Sequence, residues 1–279
     1  MQVAAPAKLN LFLHVTGRRG DGYHLLQSLF VLIDHADRLE IGVREDGVIS
    51  RGSILAGVPE DADLVVRAAK ALKAAAGSEL GADISVEKHI PMGGGLGGGS
   101  SDAASVLLAL NSLWQIGFSR TRLMQIGIGL GADVPFFIHG TNAWAEGVGE
   151  QLLTLEVPAW WYLVLVPAAH VPTPYVFQHP ELTRNTNPLK ITDFSADALA
   201  GTRNDLQAVV VKAFPAVAAS LSALQAVCQK SVFGARMTGS GACVFAAFES
   251  EQNARCAQQQ LAPEINGFVA KGLMKHPLL

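Results

Sequence analysis

Six glycines within the seven residues from Gly93 to Gly99 are the strongest chemical signal in the sequence. Because glycine has no Cβ, such a run can curl so that successive backbone N–H groups point at one anion. A helical pattern follows, and its N-terminal N–H groups and dipole would favour the same anion. Ser100 and Ser101 could donate to phosphate oxygens or meet a magnesium ion. The run therefore predicts a phosphate-binding loop; the alternative is a tight turn before an ordinary helix cap.

Two better-known phosphate loops do not fit this run. Gly93, Gly95 and Gly98 have the dinucleotide-binding spacing, but the stretch 113–117, where an acidic ribose partner would lie, has no Asp or Glu. A P-loop continues from its last glycine into Lys and then Ser or Thr, whereas Gly99 is followed directly by Ser100. Neither class of nucleotide-binding protein is predicted.

The glycine run lies between a predicted strand, residues 82–90, and a predicted helix, residues 103–114. Apolar alternation over residues 8–15 predicts a half-buried strand with Lys8 and Asn10 on one face. Further strands are predicted at 29–33, 38–43, 160–167 and 242–248, a hairpin at 141–155, and helices at 64–76, 120–128, 205–212 and 216–230. Because strands and helices do not alternate regularly, we predict an α+β fold with mixed or antiparallel sheets.

Length and composition limit the possible classes of protein. A chain of 279 residues suits two domains, which we place at residues 1–155 and 156–279, with the active site in the cleft between them. The net charge of −3, without a basic cluster, argues against a nucleic-acid polymer as partner. Without a signal peptide or a long apolar segment, a soluble, cytoplasmic protein that binds no membrane is expected. Three cysteines without CxxC spacing predict reduced thiols in the core, and oligomeric state is not predicted.

Several short blocks resemble the GHMP kinases, a family acting on galactose, homoserine, mevalonate and phosphomevalonate. They are Pro6-Ala7-Lys8-Leu9-Asn10-Leu11, Asp21-Gly22-Tyr23-His24, residues 91–104, residues 130–136, residues 145–150, Pro172-Thr173-Pro174 and Thr238-Gly239-Ser240-Gly241. The closer resemblance is to the branch that phosphorylates a cytidine-diphosphate-linked methylerythritol in non-mevalonate isoprenoid biosynthesis. The resemblance implies a two-domain kinase that uses ATP as co-substrate, with Mg²⁺ bridging the nucleotide phosphates.

The resemblance also implies catalytic roles. Asp133 would be the catalytic base and Lys8 its partner at the reacting hydroxyl. An aspartate can orient an alcohol and accept its proton as the γ-phosphoryl group moves, while an ammonium balances charge on that group. Taken alone, Asp133 before Val134-Pro135 is typical of a helix cap, and Lys8 of a solvated strand residue.

For the acceptor, the resemblance implies two aromatic side chains that sandwich a cytosine, Tyr23 and Phe177, and a histidine, His24, that contacts its polar edge. Asn10 and Thr173 would be polar substrate contacts. Without the resemblance, Tyr23 and His24 would be amphipathic residues at a strand edge and Phe177 a core aromatic. For ATP, it implies the loop residues Pro91, Met92, Gly93, Gly94, Gly95, Leu96, Gly97, Gly98, Gly99, Ser100 and Ser101. No protein metal ligand is predicted, because the histidines lack ligand spacing.

Two positions depart from the family pattern. Asp63 stands where asparagine is common near the adenine pocket, and Gln207 stands where glutamate is common. The turn at 239–241 is either a second phosphate-facing turn or a hairpin bend. The alternative functions are a kinase of the same family for a sugar or mevalonate, and a catalytically silent nucleotide-binding relative.

Overall fold

The computed structural model describes residues 1–52, 58–193 and 197–279. The strands are β1 Gln2–Arg18, β2 His24–Arg44, β3 Ile49–Arg51, β4 Gly81–Glu87, β5 Ala143–Glu146, β6 Gln151–Thr154, β7 Trp161–Leu165, β8 Phe233–Met237, β9 Val244–Phe248 and β10 Gly267–Leu273. The helices are α1 Leu64–Ala76, α2 Gly98–Leu113, α3 Arg120–Ile128, α4 Val134–His139, α5 Thr173–Gln178, α6 Gln207–Ala213, α7 Pro215–Val227 and α8 Glu251–Gln259. This architecture confirms the predicted α+β class.

Two long antiparallel strands, β1 and β2, form the frame of the first half. The predicted strands 29–33 and 38–43 are one continuous strand, because β2 runs through the intervening polar residues while paired with β1. On its other side β2 pairs with β4 and with the β5–β6 hairpin, which confirms the hairpin prediction. Helices α1 and α2 pack on this layer, and their apolar faces close one buried cluster with it.

The second half adds β7, β9 and β8 to the same sheet through β10. Strand β10 pairs with β7 along Gly267–Lys271 and then reaches β2, where Gly272 lies opposite Ile33. Two further buried clusters lie between this part of the sheet and the rest of the chain. The predicted boundary near residue 155 stays a prediction, since β10 joins the strands on either side of it.

Local sequence signals explain both ends of α1. Helix α1 begins after Asp63, whose carboxylate accepts the Val65 N–H, and ends at Gly77 in the left-handed region with φ of 61°. The prediction that the helix after the glycine run begins at Ala103 was wrong. Helix α2 begins at Gly98, so the last glycines and both serines form its first turn.

Other differences concern short or distant elements. The proline-rich segment predicted to be irregular contains the six-residue α5, with Pro174 in its first turn, where a missing N–H costs nothing. Strand β10 and helix α8 were not predicted. Cys228 and Cys243 are buried as expected, but Cys256 is exposed on α8.

No helix within the described ranges is by itself both long and apolar enough to cross a bilayer; α6 and α7 reach that length only jointly, across a bend of 116°.

Candidate active site

A cavity of about 980 Å³ gathers most of the predicted site residues. Its walls are the glycine loop, one face of β1, the start of β2, the N-terminus of α4, helix α5 and the turn at 239–241. The predicted residues that line it are Lys8, Asn10, Tyr23, His24, Gly93, Gly95, Gly97, Ser100, Asp133, Thr173 and Phe177. The other predicted loop residues do not line it: Pro91, Met92, Gly94, Leu96, Gly98, Gly99 and Ser101.

The glycine loop is shaped by alternating left-handed residues. Gly93, Gly95 and Gly97 have φ of 70°, 78° and 73°. Such alternation turns successive N–H groups to one side and makes a concave surface for an anion. Gly97 caps α2 without any side-chain hydrogen bond, so the N-terminal amides of this 16-residue helix add to the same surface.

The loop is held by backbone contacts. The Lys8 N–H donates to Leu96 O at 3.0 Å, and the Cys243 N–H donates to Gly94 O at 3.1 Å. A Cβ on Gly95 would lie 2.4 Å from Thr238 O, so only glycine allows the loop to touch the 238–241 turn. Ser101 donates from Oγ to Pro6 O at 2.6 Å and is fully buried, which ties the first turn of α2 to β1.

Buried charges lie behind the loop. Lys88 Nζ bonds to Asp37 and, at 2.7 Å, to Asp102 near the start of α2. Asp37 also accepts the N–H groups of His89 and Ile90, the residues that enter the loop. Burial raises the pKa of Asp102 against the opposing charge of Lys88. These three side chains connect both ends of the loop to β2.

Lys8 and Asp133 form an ion pair beside the loop, with Nζ 3.6 Å from Oδ2. Lys8 is 3% exposed, whereas the Asp133 side chain is 35% exposed. Asp133 occupies the cap position of α4, but its side chain makes no capping hydrogen bond. The carboxylate therefore faces a ligand space with its ammonium partner, and the helix-cap interpretation accounts only for its backbone.

Asn10 fixes the ammonium. Its Oδ1 accepts from Lys8 Nζ at 2.6 Å, and its Nδ2 donates to Ser28 Oγ at 2.8 Å. Ser28 Oγ in turn donates to Phe12 O at 2.6 Å. Because this chain of hydrogen bonds runs between the paired strands β1 and β2, the Lys8 side chain is held in place on a rigid strand pair.

The opposite end of the cavity is built from rings. The His24 and Phe177 ring centroids lie 5.1 Å apart at an interplanar angle of 36°, and Tyr23 is 65% exposed at the mouth. Burial, followed by the charges of Arg184 and Arg18, lowers the pKa of His24. The imidazole is therefore neutral near pH 7 and carries one donor and one acceptor.

Three supporting residues were missed by the sequence analysis or left without a role. Asn204 donates from Nδ2 to Met237 O at 2.9 Å and to Gly239 O at 2.8 Å, and so holds the 239–241 turn. Gln207, for which no role was predicted, accepts the Met237 N–H at 2.8 Å. His170 lines the cavity beside Gly93. The roles of Asn204 and Gln207 could not be assigned from the sequence, because their partners Met237 and Gly239 are far away along the chain.

The remaining predicted positions have clear surroundings. Thr173 Oγ1 and Ser240 Oγ share a hydrogen bond of 2.7 Å, which joins α5 to the 239–241 turn. Asp63 does not line the cavity; it caps α1 and pairs with Arg51 at 2.7 Å. Its carboxylate is thus occupied by local structure.

Comparisons with known proteins identify the family of the chain. The profile for the GHMP kinases N terminal domain matches residues 63–141, and that for the GHMP kinases C terminal matches residues 190–264. A protein from Janthinobacterium sp. (strain Marseille) is 55% identical, covering 98% of this chain and 95% of its own. One from Nitrosospira multiformis is 54% identical, covering 98% and 92%. A crystal structure superposes with a TM-score of 0.83 at 36% identity, covering 98% and 99%.

The chain belongs to the GHMP kinase family, and it is an ATP-dependent small-molecule kinase. Both relatives bear the name 4-diphosphocytidyl-2-C-methyl-D-erythritol kinase, and the crystal structure is titled as the same enzyme.

Proposed function

We propose that the protein transfers the γ-phosphoryl group of ATP to the 2-hydroxyl of 4-diphosphocytidyl-2-C-methyl-D-erythritol, giving the 2-phosphate and ADP for isoprenoid precursor synthesis. The observation that carries the proposal is one continuous cavity with two different ends. One end is an amide-lined surface for phosphates, and the other carries rings suited to a base. Strand β1 lines the cavity from Lys8 to Arg18, so a single substrate can reach from one end to the other.

In the proposed reaction the acceptor hydroxyl lies between Asp133 and the γ-phosphorus. Its oxygen forms the new P–O bond as the bond to the β-phosphate oxygen breaks, ADP leaves, and Asp133 accepts the proton. Lys8 stands 3.6 Å from that carboxylate and stabilises charge on the migrating group. Since the transition state is loose, catalysis depends mainly on position, which Asn10 and the loop amides provide.

Magnesium is part of the proposal. Among the described residues no group of three His, Cys, Asp or Glu side chains could hold a metal ion. Mg²⁺ commonly keeps several waters and binds substrate phosphates with only one or two protein groups, so the residues present fit a phosphate-bound ion. Ser100, which lines the cavity at the start of α2, would supply a hydroxyl oxygen. Such an ion would neutralise charge on the triphosphate.

The base end supports a cytidyl acceptor. Stacking of a base on an aromatic ring contributes roughly 1–3 kcal/mol, and Tyr23 and Phe177 offer such faces. His24 adds one polar contact to the base edge.

We include in the proposal a two-domain division near residue 155 and a cytoplasmic location, where ATP is available. Cell fractionation with tagged protein would test the location.

A phosphotransfer panel tests the function. The purified protein is given ATP, Mg²⁺ and one of four acceptors: the cytidyl methylerythritol compound, mevalonate, homoserine or galactose. We expect ADP release with the cytidyl compound alone, and phosphorus NMR should place the new phosphate on the 2-hydroxyl. Turnover of another acceptor would favour a different specificity within the family. No turnover with any acceptor, together with ATP binding, would favour a silent relative and contradict the proposal.

A further inference from the structure

Arg184, which follows α5, connects the two base-facing rings of the cavity. Its Nε donates to His24 Nε2 at 3.0 Å, and its Nη2 donates to Phe177 O and His179 O, both at 2.9 Å. Its Nη1 donates to Leu182 O at 3.1 Å. One half-buried side chain thus anchors the start of β2, 160 residues away in sequence, to the turn after α5.

These bonds determine where the His24 proton lies. A guanidinium group only donates, so His24 Nε2 must accept and carries a lone pair. A neutral imidazole with a lone pair on Nε2 has its proton on Nδ1. Within the described part of the chain, Nδ1 has no recorded hydrogen-bond partner. His24 lines the cavity, and the ring atom that this bond leaves for a ligand is an N–H donor rather than an acceptor.

The charges around the ring support the neutral form. Arg184 approaches from the segment after α5 and Arg18 from the end of β1, and both charges oppose protonation. Burial acts in the same direction and is the largest cause of the lowered pKa. The lone pair on Nε2 is thereby kept available for Arg184.

We propose that Arg184 is a specificity-determining positioning residue, which holds His24 in its Nδ1-protonated tautomer so that the site accepts cytosine and rejects uracil. This inference rests on the proposed function. The N3 atom of cytosine is an acceptor and pairs with an N–H donor. The N3 atom of uracil carries a hydrogen, so two donors would face each other, and a site whose polar group is left unpaired discriminates against such a mismatch.

The same side chain also positions the stacking ring. By binding Phe177 O, Arg184 fixes the end of α5 on which Phe177 lies. Ring position and proton position are therefore set together, and loss of Arg184 would affect both affinity for the base and choice between bases.

The tautomer is tested without substrate. In protein with ¹⁵N-labelled histidine, NMR of the free enzyme should show His24 with an unprotonated Nε2 and a protonated Nδ1; His24→Gln assigns the signal. In Arg184→Met, we expect a shift toward the Nε2-protonated form that an unconstrained histidine side chain prefers. A wild-type His24 protonated at Nε2 would overturn the inference, and this result does not depend on how Arg184→Met folds.

Base choice is tested by kinetics. The ratio of kcat/KM for the cytidyl acceptor to that for its uridyl analogue should fall at least about tenfold in Arg184→Met, chiefly through KM, and less in Arg184→Lys. Arg255→Met, an exposed change on α8, is the matched control and should leave the ratio unchanged. An unchanged ratio in both Arg184 variants, or equal losses for both acceptors, would contradict the inference.

The outcomes separate the inference from the function on which it rests. If the wild type turns over neither acceptor, the proposed function fails although the tautomer result stands. If it turns over the cytidyl acceptor but His24 is protonated at Nε2, only the role of Arg184 fails.

Discussion

The two ends of the cavity are built from different materials. At the glycine loop the ligand-facing groups are backbone amides, and the contacts that shape them are backbone against backbone, as between Gly95 and the 238–241 turn. At the base end they are the side chains of Tyr23, His24 and Phe177, and Arg184 binds the latter two residues. Kinases of this family all bind the phosphates of a nucleotide, whereas the acceptor differs from one kinase to another. The invariant part of the chemistry is thus placed in main-chain geometry, and the selective part in exchangeable side chains.

The two ends of the cavity also differ in how deeply their supporting residues are buried. Behind the glycine loop lie the buried carboxylates of Asp37 and Asp102, both paired with the partly buried Lys88. Tyr23, by contrast, is largely exposed. Changes behind the loop should therefore affect folding together with ATP binding, while changes at the base end should affect only the acceptor. Four predictions test this contrast, beginning with the largest effect.

The largest effect is expected where the ends meet. Asp133→Asn keeps the shape but removes proton acceptance, so we expect kcat to fall by at least about 100-fold while ATP affinity changes little. Single-turnover kinetics and calorimetry with an ATP analogue measure the two quantities. Near-normal turnover would remove Asp133 from its role.

At the loop, Gly95→Ala adds a Cβ 2.4 Å from Thr238 O at a position with φ of 78°. Since backbone cannot yield as a flexible side chain can, we expect ATP affinity to fall by about 30-fold or more and the Tm to decrease. Gly20→Ala is the control, because a Cβ there meets nothing within 4 Å. If Gly95→Ala and Gly20→Ala had the same ATP affinity and the same Tm, main-chain geometry at the glycine loop would not have the proposed role.

The stability of the protein depends on pH through His276, which contacts helix α2 behind the glycine loop. This buried imidazole bonds to Ser105 on α2, and burial lowers its pKa from 6.5 to about 4. Below pH 6.5 the unfolded chain takes up a proton that the folded protein resists, so this contribution to stability is complete above pH 6.5 and is lost as the pH falls towards 4. At pH 5 the loss is about 2 kcal/mol.

Urea unfolding from pH 7 to 5 checks this prediction. His276→Gln should remove that part of the pH dependence, whereas His89→Gln, a change at an exposed histidine, should keep it. Parallel pH profiles for wild type and His276→Gln would show that His276 has no such effect.

The smallest effect is expected at the base end. Tyr23→Ala removes one stacking face, so KM for the cytidyl acceptor should rise about tenfold, with ATP affinity and Tm unchanged. Steady-state kinetics and thermal unfolding decide the matter. If Tyr23→Ala lowered the Tm as much as Gly95→Ala, the two ends of the cavity would not differ in the way proposed.

The sequence predicted these ends to different degrees. The glycine loop, Lys8 and Asp133 lie in local motifs, and the alternation in β1 already placed Lys8 and Asn10 on one face. The start of α2 was missed because glycines disfavour helix by about 1 kcal/mol each, and the anchoring of Ser101 to Pro6 O cannot be read locally. Arg184, Asn204 and the return of β10 to β2 depend on long-range contacts without periodicity.

The most direct test is a crystal structure with a non-hydrolysable ATP analogue and the cytidyl acceptor bound together. We predict that the loop amides surround the triphosphate, that the base stacks at Phe177, and that the acceptor 2-hydroxyl lies within about 3.5 Å of both the Asp133 carboxylate and the γ-phosphorus. A nucleotide bound away from the loop, or an acceptor hydroxyl remote from Asp133, would contradict this account of the cavity.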